Sequence, residues 1–432
     1  MVSVAFVTLG CPKNEVDSAG MKARVNASRY ALCEDPADAD VIVVNTCSFI
    51  ATATEASIET ILDLTERRDQ HILVTGCLVN RYGAGDLETE LPEVSAFIPI
   101  EGERDLLCVI EKLTGEPADA GPDAAPVIER AATAWLMIAD GCDRSCSYCT
   151  IPAIRGPYRS RKPDELVAEA RVLVASGVRE LVLIAQDTTA YGHDLEDRPT
   201  LAALVARLCE ETDLSWLRLM YLQPEGVTDE LIATIAAHPQ VVRSLEIPLQ
   251  HSAARLLRAM RRSGGRAQFT ELIARLRKQL PGLALRTTLI AGFPGETEED
   301  FLDMIDFVRE IRFDYVGVFP FSPEDQTRAA ELPDQVPEEV RLARAQELRD
   351  VADEIGWERA ADHVGQSVDV LVESFDEEEG CWIGRAPFQA PDIDGVVRIP
   401  SSTDLRPGDL VPVLIQDSLL YDLEGVIALE TA

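Results

Sequence analysis

The sequence predicts an α/β protein in three parts: an N-terminal parallel α/β domain, a central (βα)6 partial TIM barrel and a small C-terminal five-stranded antiparallel β-barrel. Three observations predict this. Strand-like and helical patterns alternate over residues 1–115 and again over 128–360, as in a parallel sheet with helices on its faces. A stretch rich in Pro, Gly, Ala and Asp, 116–127, has no hydrophobic period and reads as a linker between them. From 361 to 432 the helical period disappears and short β-rich runs take over.

In the first part, Val4–Leu9, Val41–Val44 and His71–Thr75 are β-rich runs, and Ala53–Arg68 carries Ile58, Ile61, Leu62 and Thr65 at helical spacing. In the middle part, apolar runs at Ala134–Ala139, Leu181–Ala185, Leu217–Tyr221, Ser244–Pro248, Leu283–Ala291 and Tyr315–Phe319 alternate with helical stretches such as Asp164–Ala175 and Glu298–Arg312. Six such units fit a partial barrel whose site lies at the C-terminal ends of its strands. A doubly wound sheet fits the pattern too. Pro337–His363 reads as one amphipathic helix. Five short strands between Val368 and Ala428, separated by turn formers such as Arg406-Pro-Gly-Asp409, complete the chain.

Composition narrows the function classes. The chain has 432 residues, 46% hydrophobic and 27% charged, and no apolar run approaches the ~18–20 residues of a membrane span. The N-terminus lacks a basic region before its apolar run, so a signal peptide is not expected and the expected location is cytoplasmic. Net charge is −35, and residues 364–432 hold 14 Asp/Glu against 3 Arg. Such a surface disfavours a nucleic-acid partner and favours a basic protein.

Ten cysteines without a secretion signal point to metal or redox chemistry rather than a disulfide framework. Cys142-Asp-Arg-Ser-Cys146-Ser-Tyr-Cys149 follows the first strand of the middle part. Three thiolates on one short loop suit an iron–sulfur cluster. A structural zinc site would close with four ligands, and no fourth Cys or His lies near this loop. Cys11, Cys47 and Cys77 each follow a strand of the first part, on the sheet edge where α/β proteins bind ligands. Cys108 and Cys209 sit in helical apolar patterns and read as packing residues.

The C-x3-C-x2-C array before a (βα)6 pattern resembles the radical S-adenosylmethionine (SAM) superfamily. Gly10-Cys-Pro-Lys-Asn-Glu-Val-Asp-Ser18, Val44-Asn-Thr-Cys-Ser-Phe-Ile50 and Thr75-Gly-Cys77 resemble the N-terminal domain of its methylthiotransferases, and the last part resembles their TRAM domain. The resemblance covers essentially the whole chain and implies two [4Fe-4S] clusters and SAM as cofactors. It implies that Cys142, Cys146 and Cys149 hold the SAM-cleaving cluster, and that Cys11, Cys47 and Cys77 hold an auxiliary one. Beyond these ligands it implies no catalytic side chain.

For SAM contacts it suggests Tyr148 near the adenine and Gln186 past the second barrel strand. Arg286, a charge in the apolar fifth strand run, suggests the barrel interior or its mouth, and Gly292 just after it would let backbone approach the adenosine. The plainer readings are a core aromatic, a helix-capping loop, a paired structural Arg and an ordinary turn. Arg155, Arg159, Arg161 and Lys162 form a local basic patch that reads equally as a substrate contact or a solvated face. Asp140-Gly-Cys-Asp-Arg-Ser-Cys146, Ile151-Pro-Ala-Ile-Arg-Gly156 and Ile247-Pro-Leu-Gln-His-Ser252 resemble the branch that modifies an aspartate β-carbon of the small-subunit ribosomal protein S-twelve. The alternative is the branch acting on an adenosine in transfer RNA. The resemblance implies a basic ribosomal protein as partner, docked through the acidic barrel, and a reductant such as flavodoxin or ferredoxin. The sulfur source stays open.

Overall fold

The computed structural model describes residues 1–65, 69–119, 132–400 and 404–428. These residues form two compact units. The first comprises Met1–Glu129 with Asp140–Arg159 and Glu324–Thr327, and the second comprises Arg130–Ala139, Ser160–Pro323 and Arg328–Ala432.

The first unit is built on β1 (Ser3–Thr8), β2 (Ala31–Leu32), β3 (Val41–Thr46), β4 (His71–Gly76) and β5 (Ala96–Ile98), in the spatial order β2-β1-β3-β4-β5 and parallel throughout. Every residue of β3 is buried. Val41 and Val43 join the core on one face with Met21, Val25 and Ile110, while Ile42 and Val44 join the other with Ile61, Ile72 and Leu78. Burial on both faces explains why this strand reads as an unbroken aliphatic run. The strand order reverses between β1 and β3, which makes that edge a topological switch point. Helices α1 (Pro12–Asn26), α2 (Ala51–Thr65) and α3 (Cys77–Tyr82) leave from the strand ends there. The helix 106–114 turns Leu106, Leu107 and Ile110 inward. Cys108 falls on its outer side and is exposed, which corrects its reading as a packing residue; Cys209 is buried as expected. Of the expected linker, residues 120–127 lie outside the described residues. Its first part is tied down, with Tyr30 Oη donating to Glu116 O at 2.7 Å and Arg29 N to Ala118 O at 3.0 Å.

The second unit carries β6 (Thr133–Met137). Two short strands follow in the chain, β7 (Ala139–Asp140) and β8 (Arg159–Ser160), and flank the cysteine loop. Then come β9 (Glu180–Ile184), β10 (Trp216–Leu219), β11 (Val241–Glu246), β12 (Ala284–Ala291) and β13 (Tyr315–Pro320). The six long strands stand in chain order, β6-β9-β10-β11-β12-β13, all parallel. Each unit adds its strand on the same side, so the sheet is a barrel wall without the reversal of a doubly wound sheet. Among the described residues its edges β6 and β13 are not paired to each other. The amphipathic helix spans Glu338–Ala361.

The C-terminal β14 (Ser367–Asp376), β15 (Cys381–Arg385), β16 (Val397–Pro400), β17 (Leu410–Leu419) and β18 (Asp422–Ile427) close into a barrel. Four seams are antiparallel and the β16–β18 seam is parallel. An odd number of strands cannot alternate direction around a closed ring, so the expectation of an all-antiparallel barrel is corrected at this seam. Among the described residues no helix is long and apolar enough to cross a membrane.

Candidate functional site: two groups of three cysteines

Cys11 caps α1, whose first residue is Pro12; Cys47 follows β3 directly; Cys77 opens α3 directly after β4. The first two flank the switch point. Two glycines permit the approach. Gly10 has φ +102°, and a Cβ there would stand 2.7 Å from Cys47 Cβ. Gly76 has φ +92°, and its Cβ would meet Asn45 Oδ1 at 2.4 Å. Only glycine adopts such angles without strain.

Asn14, fully buried, knits the group together. Its Oδ1 accepts from Cys11 Sγ at 3.8 Å and from Cys77 Sγ at 3.9 Å, and its Nδ2 donates to Leu9 O and Thr46 O at 2.8 and 2.9 Å. Ser57 Oγ accepts from Cys47 N at 3.2 Å and donates to Cys47 O at 2.7 Å. Burial pushes the Cys47 thiol up and the Cys77 thiol up to about 12, and neighbouring thiols add to both. Loading such a site with metal must therefore release protons.

The second group lies on the loop between β7 and β8. Gly141 has φ +79°, and a Cβ would overlap Pro157 O at 2.1 Å. The loop is pinned by Cys142 N donating to Gly156 O at 3.1 Å, Cys149 N to Cys146 O at 3.2 Å and Tyr158 N to Asp143 Oδ1 at 2.9 Å. Cys142 is buried, and Cys146, Cys149 and Tyr148 are half-buried. Among the described residues no three Cys, His, Asp or Glu side chains are grouped closely enough to hold a single metal ion. Three cysteine thiols carried on one short loop suit an iron–sulfur cluster.

One residue that the sequence placed only in a basic patch belongs to this site. Arg155 is buried with its guanidinium among Asn14, Asp17 and Asp140, beside the Cys77 and Cys11 thiols. Its neighbours in that patch behave differently: Arg161 pairs with Glu169 at 2.5 Å, and Arg159 is exposed 3.7 Å from Asp140. No sequence signal separates Arg155 from its basic neighbours; the fold buries it beside Ile154 in a short helix.

The remaining candidates belong to the second unit. Gln186 stands half-buried just past β9, at the C-terminal edge of the wall; Asp187 beside it caps a 3-10 turn through Ala190 N. Gly292 follows β12 with φ +75°, and a Cβ would meet Arg341 Cγ at 2.4 Å, so its small size is needed for packing on the helix 338–361. Arg286 is not at the mouth. It is the third residue of β12, bonded to Asp394 of the small barrel and 4.0 Å from Glu246, which is the paired structural role. It belongs to a buried ionic layer where the small barrel meets the early residues of the strands. There Glu180 Oε1 accepts from Arg218 Nε at 2.7 Å, and Arg385 Nη2 reaches Glu180 Oε2 at 2.5 Å and Thr133 Oγ1 at 2.9 Å. Burial alone would raise the Glu180 carboxyl, but the Arg218 and Arg385 guanidiniums hold it down at about 2.

Comparison with known proteins fits this arrangement. Residues 136–308 match the radical SAM superfamily, 3–99 the uncharacterized protein family UPF0004, and 364–428 the TRAM domain. A ribosomal protein uS12 methylthiotransferase RimO of Anaeromyxobacter sp. is 45% identical, over 97% of this chain and 91% of its own. One of Citrifermentans bemidjiense is 44% identical over 98% of each. The chain belongs to the uS12 methylthiotransferase family. Family membership makes it a radical SAM methylthiotransferase with SAM and [4Fe-4S] clusters as cofactors. Among solved structures, the radical SAM methyltransferase TsrM of Kitasatospora setae shares the fold, with a TM-score of 0.54 at 14% identity over 76% of this chain and 77% of that one.

Proposed function

We propose that the chain inserts a methylthio group at an aspartate β-carbon of ribosomal protein uS12. In this reading Cys142, Cys146 and Cys149 hold the SAM-binding [4Fe-4S] cluster, and Cys11, Cys47 and Cys77 hold the auxiliary one. The observation that carries it is the pair of three-cysteine groups in one compact unit, none of the six cysteines being in a disulfide. When bound, the cofactors supply one-electron cleavage of SAM and an open iron on which sulfur can be held.

The chain's own residues hold and shield. Gly10, Gly76 and Gly141 let the backbone fold tightly before Cys11, Cys77 and Cys142. Asn14 orients two of the thiols, and burial of Cys77 keeps water from that side of the site. Tyr148, Gln186 and Gly292 are proposed to border SAM; no side chain is needed as a general base. The full-length relatives carry the uS12 name, which favours that substrate over an adenosine in transfer RNA.

The acidic barrel is the proposed dock for the basic substrate. Of its acidic groups, Glu373, Asp394 and Asp422 are taken up by Arg385, Arg286 and Arg398, whereas Glu377, Glu378 and Glu379 stand exposed on the β14–β15 turn beside exposed Phe375. A redox protein such as flavodoxin or ferredoxin is the proposed reductant, and the cytoplasm the proposed location.

The test is anaerobic reconstitution of the full chain with iron and sulfide, then SAM and reductant, with whole small subunits in one tube and unmodified transfer RNA in another. Mass spectrometry should find one methylthio group replacing one hydrogen on a uS12 aspartate. A gain on the RNA alone would overturn the substrate.

A further inference from the structure

All three N-terminal cysteine loops are held by the same six residues, Thr150–Arg155, which begin directly after Cys149. Asn14, three residues past Cys11, accepts from Arg155 Nη2 at 2.9 Å. Phe49, two past Cys47, accepts at its carbonyl from Thr150 Oγ1 at 3.0 Å. Asn80, three past Cys77, donates from Nδ2 to Ile154 O at 2.9 Å. None of these six residues belongs to either apolar core of the sheet.

Arg155 is the centre of this clamp. Its side chain is 2% exposed, and Nη1 lies 2.8 Å from Asp17 Oδ2 and 3.5 Å from Asp140 Oδ1. Burying a guanidinium is costly unless anions face it. Those facing it are Asp17 on α1, Asp140 before the second cysteine group and the Cys77 and Cys11 thiols, with Glu103 close by. Two carboxylates, Asp17 and Asp140, lie against Arg155, and Arg159 reaches Asp140 only, at 3.7 Å; ligand thiolates would add further negative charge. The fork also does what a lysine cannot, reaching Asn14 with one nitrogen and the carboxylates with the other.

We propose that Arg155 is a positioning residue of the auxiliary site: it supplies the buried positive charge that sets the reduction potential of a cluster held by Cys11, Cys47 and Cys77. This rests on the reading that those cysteines hold a cluster, and the experiment separates the two. The full chain carrying Cys142→Ala, Cys146→Ala and Cys149→Ala, reconstituted anaerobically, leaves that trio as the cluster site. Iron and sulfide are counted, and the midpoint potential is measured at pH 8 by redox titration with EPR detection. This is done in the parent, in Arg155→Gln and in Asp17→Asn.

Arg155→Gln removes a positive charge and should shift the potential to more negative values. Asp17→Asn removes a negative charge and should shift it to more positive ones. Loosened packing would not produce opposite signs. No iron in the parent overturns the reading of the trio itself. Iron retained with potentials unmoved, or moved in the same direction, overturns the role of Arg155. If Arg155→Gln fails to hold iron, Asp17→Asn decides alone, and a potential that is unchanged or more negative overturns the proposal.

Discussion

Cys142, Cys146 and Cys149 come from eight consecutive residues, whereas Cys11, Cys47 and Cys77 come from three strand ends spread over 67 residues. The first group is a property of one loop, pinned by a few backbone bonds within Gly141–Tyr158. The second exists only when β1, β3 and β4 pair in register and reverse order at the right place. Sequence spacing alone brings ligands together in one case and topology does so in the other. Damage to the sheet should therefore separate the two groups, and so should each of the substitutions below.

The largest expected effects are at the thiols. Cys146→Ala should abolish both formation of 5′-deoxyadenosine and methylthio transfer. Cys47→Ala should abolish transfer and leave SAM cleavage standing, as chromatography of the nucleoside products would show. Next come the glycines. Gly76→Ala combines an angle that only glycine adopts freely with overlap at Asn45 Oδ1 and Thr46 O. It should cost ~3 kcal/mol or more by chemical denaturation and lower the iron held by the N-terminal group. Gly141→Ala should lower the iron held by the loop instead.

Asn14→Ala removes the oxygen shared by Cys11, Cys77 and Arg155. It should cost about 1–3 kcal/mol and slow reconstitution of the N-terminal group only. The last expected effect is a pH slope. Burial, with Asp17 adding to it, pushes the Glu103 carboxyl up to about 8, while Thr75 Oγ1 donates to it at 2.9 Å. A carboxyl raised on folding favours the native state below its unfolded value near 4.3, and that favour is lost as pH rises through 8. Wild type should therefore lose melting temperature between about pH 4.3 and 8 relative to Glu103→Gln, measured by calorimetry on the metal-free chain.

The loop group was legible because its spacing is local, and the three strand-end cysteines because Gly10-Cys11, Gly76-Cys77 and Cys47 all follow β-rich runs. The choice between barrel wall and doubly wound sheet was not legible, because strand order is a tertiary fact. Arg155 was hidden for a related reason: among Arg159, Arg161 and Lys162 it is one basic residue of four, and only the fold turns it inward to Asn14 and Asp17. Arg286 drew notice as a charge in an apolar strand, but its partner Asp394 lies 108 residues away in the small barrel. Cys108 was misplaced because an apolar helical run does not say which side faces the core when Leu106, Leu107 and Ile110 already fill it. The parallel β16–β18 seam follows from the number of strands and could have been foreseen.

The most direct measurement is the iron content of the full chain and of two triple variants after anaerobic reconstitution. One variant carries alanine at Cys142, Cys146 and Cys149, the other at Cys11, Cys47 and Cys77. Two separately held clusters predict about eight irons in the full chain and about four in each variant, with SAM perturbing the EPR signal only in the variant that keeps Cys142, Cys146 and Cys149. About four irons in the full chain, and none in one of the variants, would contradict the assignment of a cluster to each group.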